Sequence, residues 1–183
     1  MKIKRNDLDY WNYLIKNYAF TLKPFWHSIV LESSRNNLNP NLLLGVLAIE
    51  KANRGKVYEI IEKLISLLFP RIILLKNFSV GFVQLKPATL KRDLKMEITC
   101  DEVRRLMKPR YSIAIGAKLL SRYCEETDFD SKDIDAGNYD VKLLWIVKKY
   151  TTGIYNSPNY PWVMYYFNIL KNISKGDILC QAG

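Results

Sequence analysis

The sequence predicts a mainly α fold. Apolar residues recur at helical spacing in most of its segments, and no run of alternating residues is long enough for a regular strand. The chain has 183 residues with only 8 glycines and 7 prolines, and it contains no repeat or low-complexity stretch. A chain of this length buries roughly two thirds of the surface that it exposes when unfolded. We therefore expect one compact, mainly helical domain with at most a minimal β element.

Cysteine and histidine content excludes several classes of site. The three cysteines are widely spaced and odd in number, which argues against a disulfide framework and against a zinc knuckle. The single histidine, His27, lies in an aromatic-rich segment, so a catalytic triad or a histidine-rich metal site is not expected. The sequence thus predicts neither a metal ion nor a cofactor.

The helices are predicted from apolar periodicity and from signals at their ends. An N-terminal helix spans the apolar residues from Leu8 to Ala19, and Pro24 opens a second helix, Phe25 to about Arg35. Thr99 and Glu102 form a capping box for a short helix. Further helices are predicted to start at Pro87 and to cover Tyr111 to Glu126, Asp140 to Tyr150 and Pro161 to about Lys171.

A central helix is predicted from about residue 40 to 54. Asn39 and Pro40 supply an N-cap and a first-turn proline, and Gly55 is read as a C-terminal stop. The stretch LLLGVLAIEKANRG, residues 42–55, is apolar nearly all round. Such a helix is expected inside a core rather than on a surface.

Glu50 is the only acid of this central helix. It shares a face with Leu43 and Val46, so its carboxyl group is expected at the edge of an apolar environment. Desolvation and a position in the last helical turn both favour the neutral acid, which a general acid requires. The alternative interpretation is that Glu50 only marks where a buried helix reaches the surface.

The segment Val57–Leu75 is strongly apolar. Glu62, Lys63, Pro70 and Arg71 interrupt it, so it is too short for a membrane-spanning helix, which needs roughly 20 apolar residues. We expect a helix that breaks near Pro70 and packs in the domain, in preference to an interfacial anchor.

The stretch Asn77–Thr89 is the second informative part of the sequence. Ser79 and Gly81 indicate a turn, and Phe82–Leu85 is predicted to be briefly extended. Gln84 is polar between two apolar neighbours. Because buried amides need partners, Gln84 is expected either to brace the loop or to face a ligand.

The net charge of +10 is unevenly distributed. Residues 125–140 carry −6, which leaves +16 for the rest of the chain. The acidic stretch is interpreted as a solvated loop, because its spacing does not match a calcium-binding loop. The basic remainder favours a polyanionic partner: nucleic acid, an anionic membrane surface or a bacterial cell-wall polymer.

Three features follow one another in the sequence: an acid at the end of a buried helix, a Ser-x-Gly-x-x-Gln turn and a late Tyr-x-x-Gly loop. In this order they resemble the lysozyme-like lytic transglycosylases and goose-type lysozymes over roughly residues 38–168. The family's catalytic-glutamate helix is similar to LLLGVLAIEKANRG, with Glu50 at the glutamate position and Lys51 in place of the usual serine. The family's GLMQ turn is similar to residues 81–84, GFVQ, which a proline helix follows.

The resemblance continues in the later helices. SIAIGAKLL has Ile113 and Gly116 in register with a family helix, and the YNAG loop falls on Tyr150 to Gly153, with Thr151 in place of asparagine. The spacing of 34 residues from Glu50 to Gln84 is long, so residues 56–76 are interpreted as a helical insertion. The predicted organisation is N-terminal helices (1–37), a catalytic domain (38–172) and a tail (173–183).

The resemblance implies cleavage of the β-1,4 bond between N-acetylmuramic acid and N-acetylglucosamine in peptidoglycan glycan strands. Glu50 would act as acid and then as base, giving 1,6-anhydro ends. The implied substrate-binding residues are Gln84, Tyr150, Ser79 and Gly81. A basic cleft rim for the anionic wall polymer is expected from Lys86, Lys91, Arg92 and Lys95.

Alternative functions stay open at this point. A lysozyme-type hydrolase needs an opposing carboxylate, for which Asp93, Glu97 and Asp101 are candidates. A non-catalytic domain that binds glycan or a partner is a second alternative. A basic nucleic-acid-binding protein is less favoured, because no recognition module is readable.

Location and assembly are only partly predictable. An enzyme of this type acts in the periplasm or cell wall, yet the N-terminal residues lack the apolar core of a secretory signal. Another export route is therefore expected. No transmembrane segment is predicted, and the oligomeric state is left open.

Overall fold

A computed structural model describes residues 21–131 and 141–152, and this part of the chain is helical without a β-strand. The prediction of a mainly α fold is confirmed. A 3₁₀ turn, Lys23–Phe25, precedes seven α-helices: α1 (Trp26–Arg35), α2 (Pro40–Leu68), α3 (Pro70–Lys76), α4 (Pro87–Asp93), α5 (Cys100–Leu106), α6 (Pro109–Glu126) and α7 (Val141–Thr152). The helices predicted before residue 20 and from Pro161 lie outside the described residues.

Helix α2 begins as predicted but is much longer than predicted. The Asn39 side chain accepts a hydrogen bond from the Asn41 N–H at 2.8 Å, and Pro40 occupies the first turn. The predicted stop at Gly55 is wrong, because α2 is 29 residues long in total and ends at Leu68. A glycine inside a helix costs only about 1 kcal/mol, which neighbouring helix-forming residues offset.

The predicted break near Pro70 is confirmed. Phe69, the residue between α2 and α3, has non-helical backbone angles, and Pro70 opens α3. The ring of a proline disfavours helical geometry in the residue before it, so the α2–α3 boundary follows directly from the sequence.

The length of α2 corrects the predicted environment of Glu50. Glu50 is the eleventh of the 29 residues and therefore lies inside the helix, not in its last turn. The partial charge at a helix end falls off within one turn, so it does not act on this carboxyl group.

The first half of α2 forms the centre of the core, as the sequence predicts. Residues 42–49 are all buried, and α2 contacts α1, α3, α5 and α6. Helix α6 contributes a buried face that includes Ile113, Leu120 and Tyr123. None of the helices within the described ranges is long and apolar enough to cross a membrane.

Gly116 of α6 allows a close approach, although the approaching element is not a helix. A Cβ atom at Gly116 would lie 2.6 Å from Cγ1 of Val83, which belongs to the loop between α3 and α4. The small residue predicted on this face therefore makes room for a loop side chain.

We predict that Gly116→Ala destabilises the protein by about 1–3 kcal/mol, because the added methyl group forces Val83 to move. Alanine at this helical position would otherwise stabilise by roughly 1 kcal/mol. Urea unfolding measures the difference. Lys118→Ala, an exposed change on the same helix, is the control and should stay within about 0.5 kcal/mol of wild type. A stabilised Gly116→Ala protein would contradict the close contact.

Candidate active site

The GFVQ motif forms a tight turn. The Val80 N–H donates to the Leu85 carbonyl at 2.9 Å and the Leu85 N–H donates back at 3.0 Å, so the turn residues are Gly81 to Gln84. The predicted extended piece, Phe82–Leu85, is therefore wrong. Positive φ angles at Gly81 (+82°) and Gln84 (+53°) reverse the chain where an extended segment was expected.

Gly81 is required by the backbone of this turn. Its φ lies in the region that favours glycine, and a Cβ atom there would sit 2.3 Å from the Leu106 carbonyl oxygen. The turn thus packs directly against the end of α5. The positive φ and this close contact are the structural reasons for a glycine at position 81.

Three helices hold the turn by hydrogen bonds to its backbone. Ser112 of α6 accepts from the Val83 N–H at 3.1 Å, and the Tyr150 hydroxyl of α7 donates to the Val83 carbonyl at 2.9 Å. Glu62 of α2 accepts from the Gly81 N–H through Oε1 at 2.7 Å. The turn is therefore fixed from three sides.

The Gln84 side chain braces the same turn. Its Nε2 donates to the Gly81 carbonyl at 2.9 Å and to Oε2 of Glu62 at 3.2 Å. An amide nitrogen has two hydrogens, so these contacts use its donor capacity. For a ligand, Gln84 therefore offers its acceptor atom, Oε1. Of the two roles expected for Gln84, the loop-bracing one is observed.

Glu62 is the residue of this site that sequence analysis missed. It was interpreted only as an interruption in an apolar segment, and its partners are 19 and 22 residues away in sequence. One signal was present: Glu62 lies one helical turn from Glu59 and from Ser66, so α2 has a polar face in a region that otherwise appears apolar.

Tyr150 connects the turn with Glu50. Burial raises the pKa of the Tyr150 phenol well above its ordinary value, and the negative charge of the nearby Glu50 raises it further. Tyr150 is therefore a neutral hydrogen-bonding group at neutral pH. The structure brings Glu50, Tyr150 and the turn together, although they are distant in sequence.

Glu50 is half-buried at the end of an apolar face of the first half of α2. Leu43, Val46 and Leu47, which share this face at helical spacing, are all buried. The carboxyl group therefore emerges at the edge of the core, as predicted, even though the helix continues past it.

Lys51, which replaces the family's serine, contacts the turn from the other side. Its Nζ lies 4.9 Å from the centroid of the Phe82 ring and 3.6 Å from Oε1 of Glu59. The Phe82 ring also packs against Phe25, with 5.0 Å between centroids. A cation over an aromatic face contributes about 0.5–1 kcal/mol at an exposed site.

The remaining predicted residues lie at the margins of this arrangement. Ser79 is half-buried and precedes Val80, and the hydrogen bonds that hold the turn are made by other residues. Thr151 belongs to the last turn of α7, so it is helical rather than part of a loop. Gly153 lies outside the described residues.

The three candidates for an opposing carboxylate have different surroundings. Asp93 is buried and accepts hydrogen bonds from the Arg92 guanidinium and from the Tyr123 hydroxyl. Asp101 is exposed and pairs with Arg104 at 2.8 Å, and Glu97 is exposed on the loop after α4. Asp93 and Asp101 are thus each paired with an arginine, Arg92 and Arg104 respectively.

The Asp93 network makes stability depend on pH. Burial alone would raise the pKa of Asp93, but hydrogen bonds from Arg92 and Tyr123 outweigh burial and hold it below its ordinary value. A folded pKa below the unfolded value of about 3.9 means that the stabilisation is complete above that pH and is lost as the pH falls further.

We predict that Asp93→Asn lowers stability at pH 6, because Arg92 and Tyr123 lose a charged acceptor. Its stability should also decline less than that of the wild type between pH 5 and pH 2. Thermal unfolding across this range measures both effects. Asp101→Asn, an exposed control, should follow the wild-type curve, and an Asp93→Asn curve parallel to wild type would contradict the pKa shift.

Comparison with known proteins gives one match. The family model described as transglycosylase SLT domain matches residues 28–154, which is more than half of the chain and includes Glu50, the turn and Tyr150. No curated protein and no solved structure matches the chain. On the strength of the family match, the chain belongs to the transglycosylase SLT domain family.

Proposed function

We propose that this protein is a lytic transglycosylase that cleaves the MurNAc-β-1,4-GlcNAc bond, with Glu50 as general acid and base. Members of its family are lytic transglycosylases, so an enzyme of this type, with peptidoglycan as substrate and action in the periplasm or cell wall, follows from family membership. Beyond family membership, we propose the bond that is cleaved, the product that is formed and the roles of the residues.

One observation supports the proposal best. Glu50 on α2 lies close enough to Tyr150 on α7 for its charge to affect the phenol, and that phenol holds the GFVQ turn. An acid at the edge of the core, a neutral tyrosine and a glutamine-bearing turn therefore converge. Convergence of these groups is what acid–base attack on a bound glycan requires.

The chemistry needs only one carboxyl group. In the first step protonated Glu50 donates its proton to the glycosidic oxygen, the bond from that oxygen to C1 of MurNAc breaks, and an oxocarbenium-like centre develops at C1. In the second step the Glu50 carboxylate takes the proton of the MurNAc 6-hydroxyl, whose oxygen bonds to C1. The product is a 1,6-anhydro ring, and Glu50 is protonated again.

The neighbours of Glu50 suit these two steps. Because Tyr150 stays neutral, it adds no second negative charge beside an acid that has to be protonated at the start of the cycle. Gln84 uses its nitrogen within the turn and offers Oε1, which accepts a hydrogen bond from a sugar N–H or O–H group.

The surroundings of Asp93 and Asp101 favour this single-acid mechanism over hydrolysis with either of them as the second carboxylate. A hydrolase of the inverting type needs a carboxylate that activates water on the opposite face of the sugar. Asp93 is buried in contact with Arg92 and Tyr123, and Asp101 is paired with Arg104. Both are poorly suited to activate a water molecule.

The basic residues after the turn fit an anionic polymer. Lys86, Lys91 and Lys95 are exposed and belong to α4 or its ends, whereas Arg92 pairs with Asp93. Three exposed positive groups next to the GFVQ turn would attract the carboxylates of peptidoglycan stems.

We predict that Glu50→Gln lowers the release of muropeptides from purified sacculi at least ~100-fold, because glutamine cannot donate the proton. The variant should keep the circular dichroism spectrum and melting temperature of the wild type. Glu125→Gln, an exposed change on α6, is the matched control and should release muropeptides at the wild-type rate. Equal release by Glu50→Gln would refute the catalytic assignment.

The masses of the products identify the reaction. Muropeptides with 1,6-anhydro ends support the transglycosylase, whereas products heavier by one water have reducing ends and identify a lysozyme-type hydrolase. The second result would overturn the proposed product and keep Glu50 as the acid.

Glu62 is proposed as a positioning residue that acts through the turn. Its two oxygens accept from Gly81 and Gln84, so they fix both the backbone and the amide orientation of Gln84. Glu62 is not proposed as the opposing carboxylate of a hydrolase, because both of its oxygens accept hydrogen bonds from the turn.

We predict that Glu62→Gln lowers muropeptide release about tenfold, because an amide N–H₂ replaces one acceptor and leaves a donor of the turn unpaired. Lys63→Gln, the next residue on α2, is the control and should retain full activity on sacculi. In a double-mutant cycle, the losses caused by Glu62→Gln and Gln84→Ala should combine to less than their product, since Glu62 acts partly through the Gln84 side chain. Fully multiplicative losses would contradict this positioning role.

A further inference from the structure

The second half of α2 carries its apolar stripe on the outside. Five apolar residues recur at the spacing by which a surface helix normally buries one face in its own domain. Here their exposure ranges from 46% to 65%: Ile60, Ile61, Leu64, Leu67 and Leu68. The face that would ordinarily enter a core is therefore turned outwards.

The opposite face of the same helix segment is polar and turned inwards. Glu62 binds the turn, and Ser66 is fully buried with its hydroxyl lacking a hydrogen-bond partner. Glu59 lies on this side as well and pairs with Lys51. The amphipathic pattern of α2 is thus inverted relative to the domain that it belongs to.

The exposed apolar area extends beyond α2. Phe69 in the connection, Ile72 and Leu75 on α3, and Phe78 after it are 41% to 83% exposed. We call these residues, together with Tyr58 and the five of the stripe, the α2–α3 apolar surface. Contiguous apolar patches of more than a few hundred Å² are rare on monomeric proteins and mark interaction sites.

Within the segment that carries this surface, the exposed charges have one sign. Between residues 58 and 78 the exposed charged residues are Lys63, Arg71 and Lys76, and all three are basic. The two acids of the segment, Glu59 and Glu62, are only half-exposed and are bonded to other groups of the protein. The partner that complements this surface is apolar and negatively charged.

We propose that the α2–α3 apolar surface docks onto an anionic lipid membrane, with α2 lying in the interface. An apolar stripe flanked by lysine and arginine, with the aromatic rings of Tyr58, Phe69 and Phe78, is the pattern of helices that bind in the plane of a bilayer. The basic side chains reach the phosphate groups while the apolar side chains enter the acyl boundary.

Charge argues against a second copy of the chain as the occupant. Two such surfaces facing each other would bring two sets of three cations together, and like charges across an interface oppose association. An acidic lipid surface removes this repulsion and adds attraction.

The test is cosedimentation of the full chain with vesicles. Vesicles of phosphatidylglycerol mixed with phosphatidylcholine should bind the protein, vesicles of phosphatidylcholine alone should bind it less, and added salt should weaken binding to the mixed vesicles. Glu50→Gln should bind like wild type, which separates this result from the outcome of the activity assay.

Substitutions locate the surface. Leu68→Glu should weaken vesicle binding about tenfold or more, because a leucine no longer enters the bilayer. Val141→Glu, at another exposed apolar position that is 55% exposed, is the matched control and should bind like wild type. Leu64→Ser with Leu68→Ser should also weaken binding, since it removes apolar area without adding charge.

Three results would each overturn the proposal. Absence of binding to the anionic vesicles would show that the surface does not dock onto an anionic bilayer. Salt-sensitive binding that Leu68→Glu leaves unchanged would reflect only the net charge of the protein. Sedimentation of a dimer that Leu68→Glu dissociates, without vesicle binding, would identify a second copy as the occupant.

Discussion

A turn inside a helical protein has backbone groups without partners in its own element, and buried groups of this kind must be paired. The GFVQ turn meets this requirement with side chains from three helices: Glu62, Ser112 and Tyr150. These contacts depend on the packing of α6 against both α2 and α7. The position of Gln84 relative to Glu50 is therefore a property of the whole helical assembly.

Close packing reinforces these hydrogen bonds. Gly81 and Gly116 leave no room for a side chain where the turn meets α5 and α6, so the turn can approach both helices. On the other side, Phe82 packs against Phe25 and lies under the Lys51 cation. A turn confined in this way presents one amide orientation, which lowers the entropic cost of holding a ligand in place.

Local signals in the sequence predicted local features of the fold. Prolines at positions 40, 70 and 87 begin helices, and Thr99 caps α5, because each acts on the backbone beside it. The end of α2 was wrongly placed because Gly55 weakens a helix without terminating it.

Sequence analysis did not predict the contacts between residues that are far apart along the chain. The resemblance pointed to Glu50, Gln84 and Tyr150, and the structure places Tyr150 near Glu50 and in contact with the turn that carries Gln84. Glu62 was missed because its contacts join residues that neither periodicity nor a motif connects. The positive φ of Gln84 was equally unpredictable, since only glycine adopts that conformation routinely.

The uninterrupted course of α2 has a mechanical consequence. One rod of 29 residues, about 43 Å long, carries the proposed acid, the anchor of the turn and the exposed apolar stripe. The helix is continuous between these parts, so an interaction that orients the outer half of α2 also bears on the orientation of the proposed catalytic group. If a bilayer holds the stripe, the angle at which glycan strands meet Glu50 is set by the geometry of a single helix.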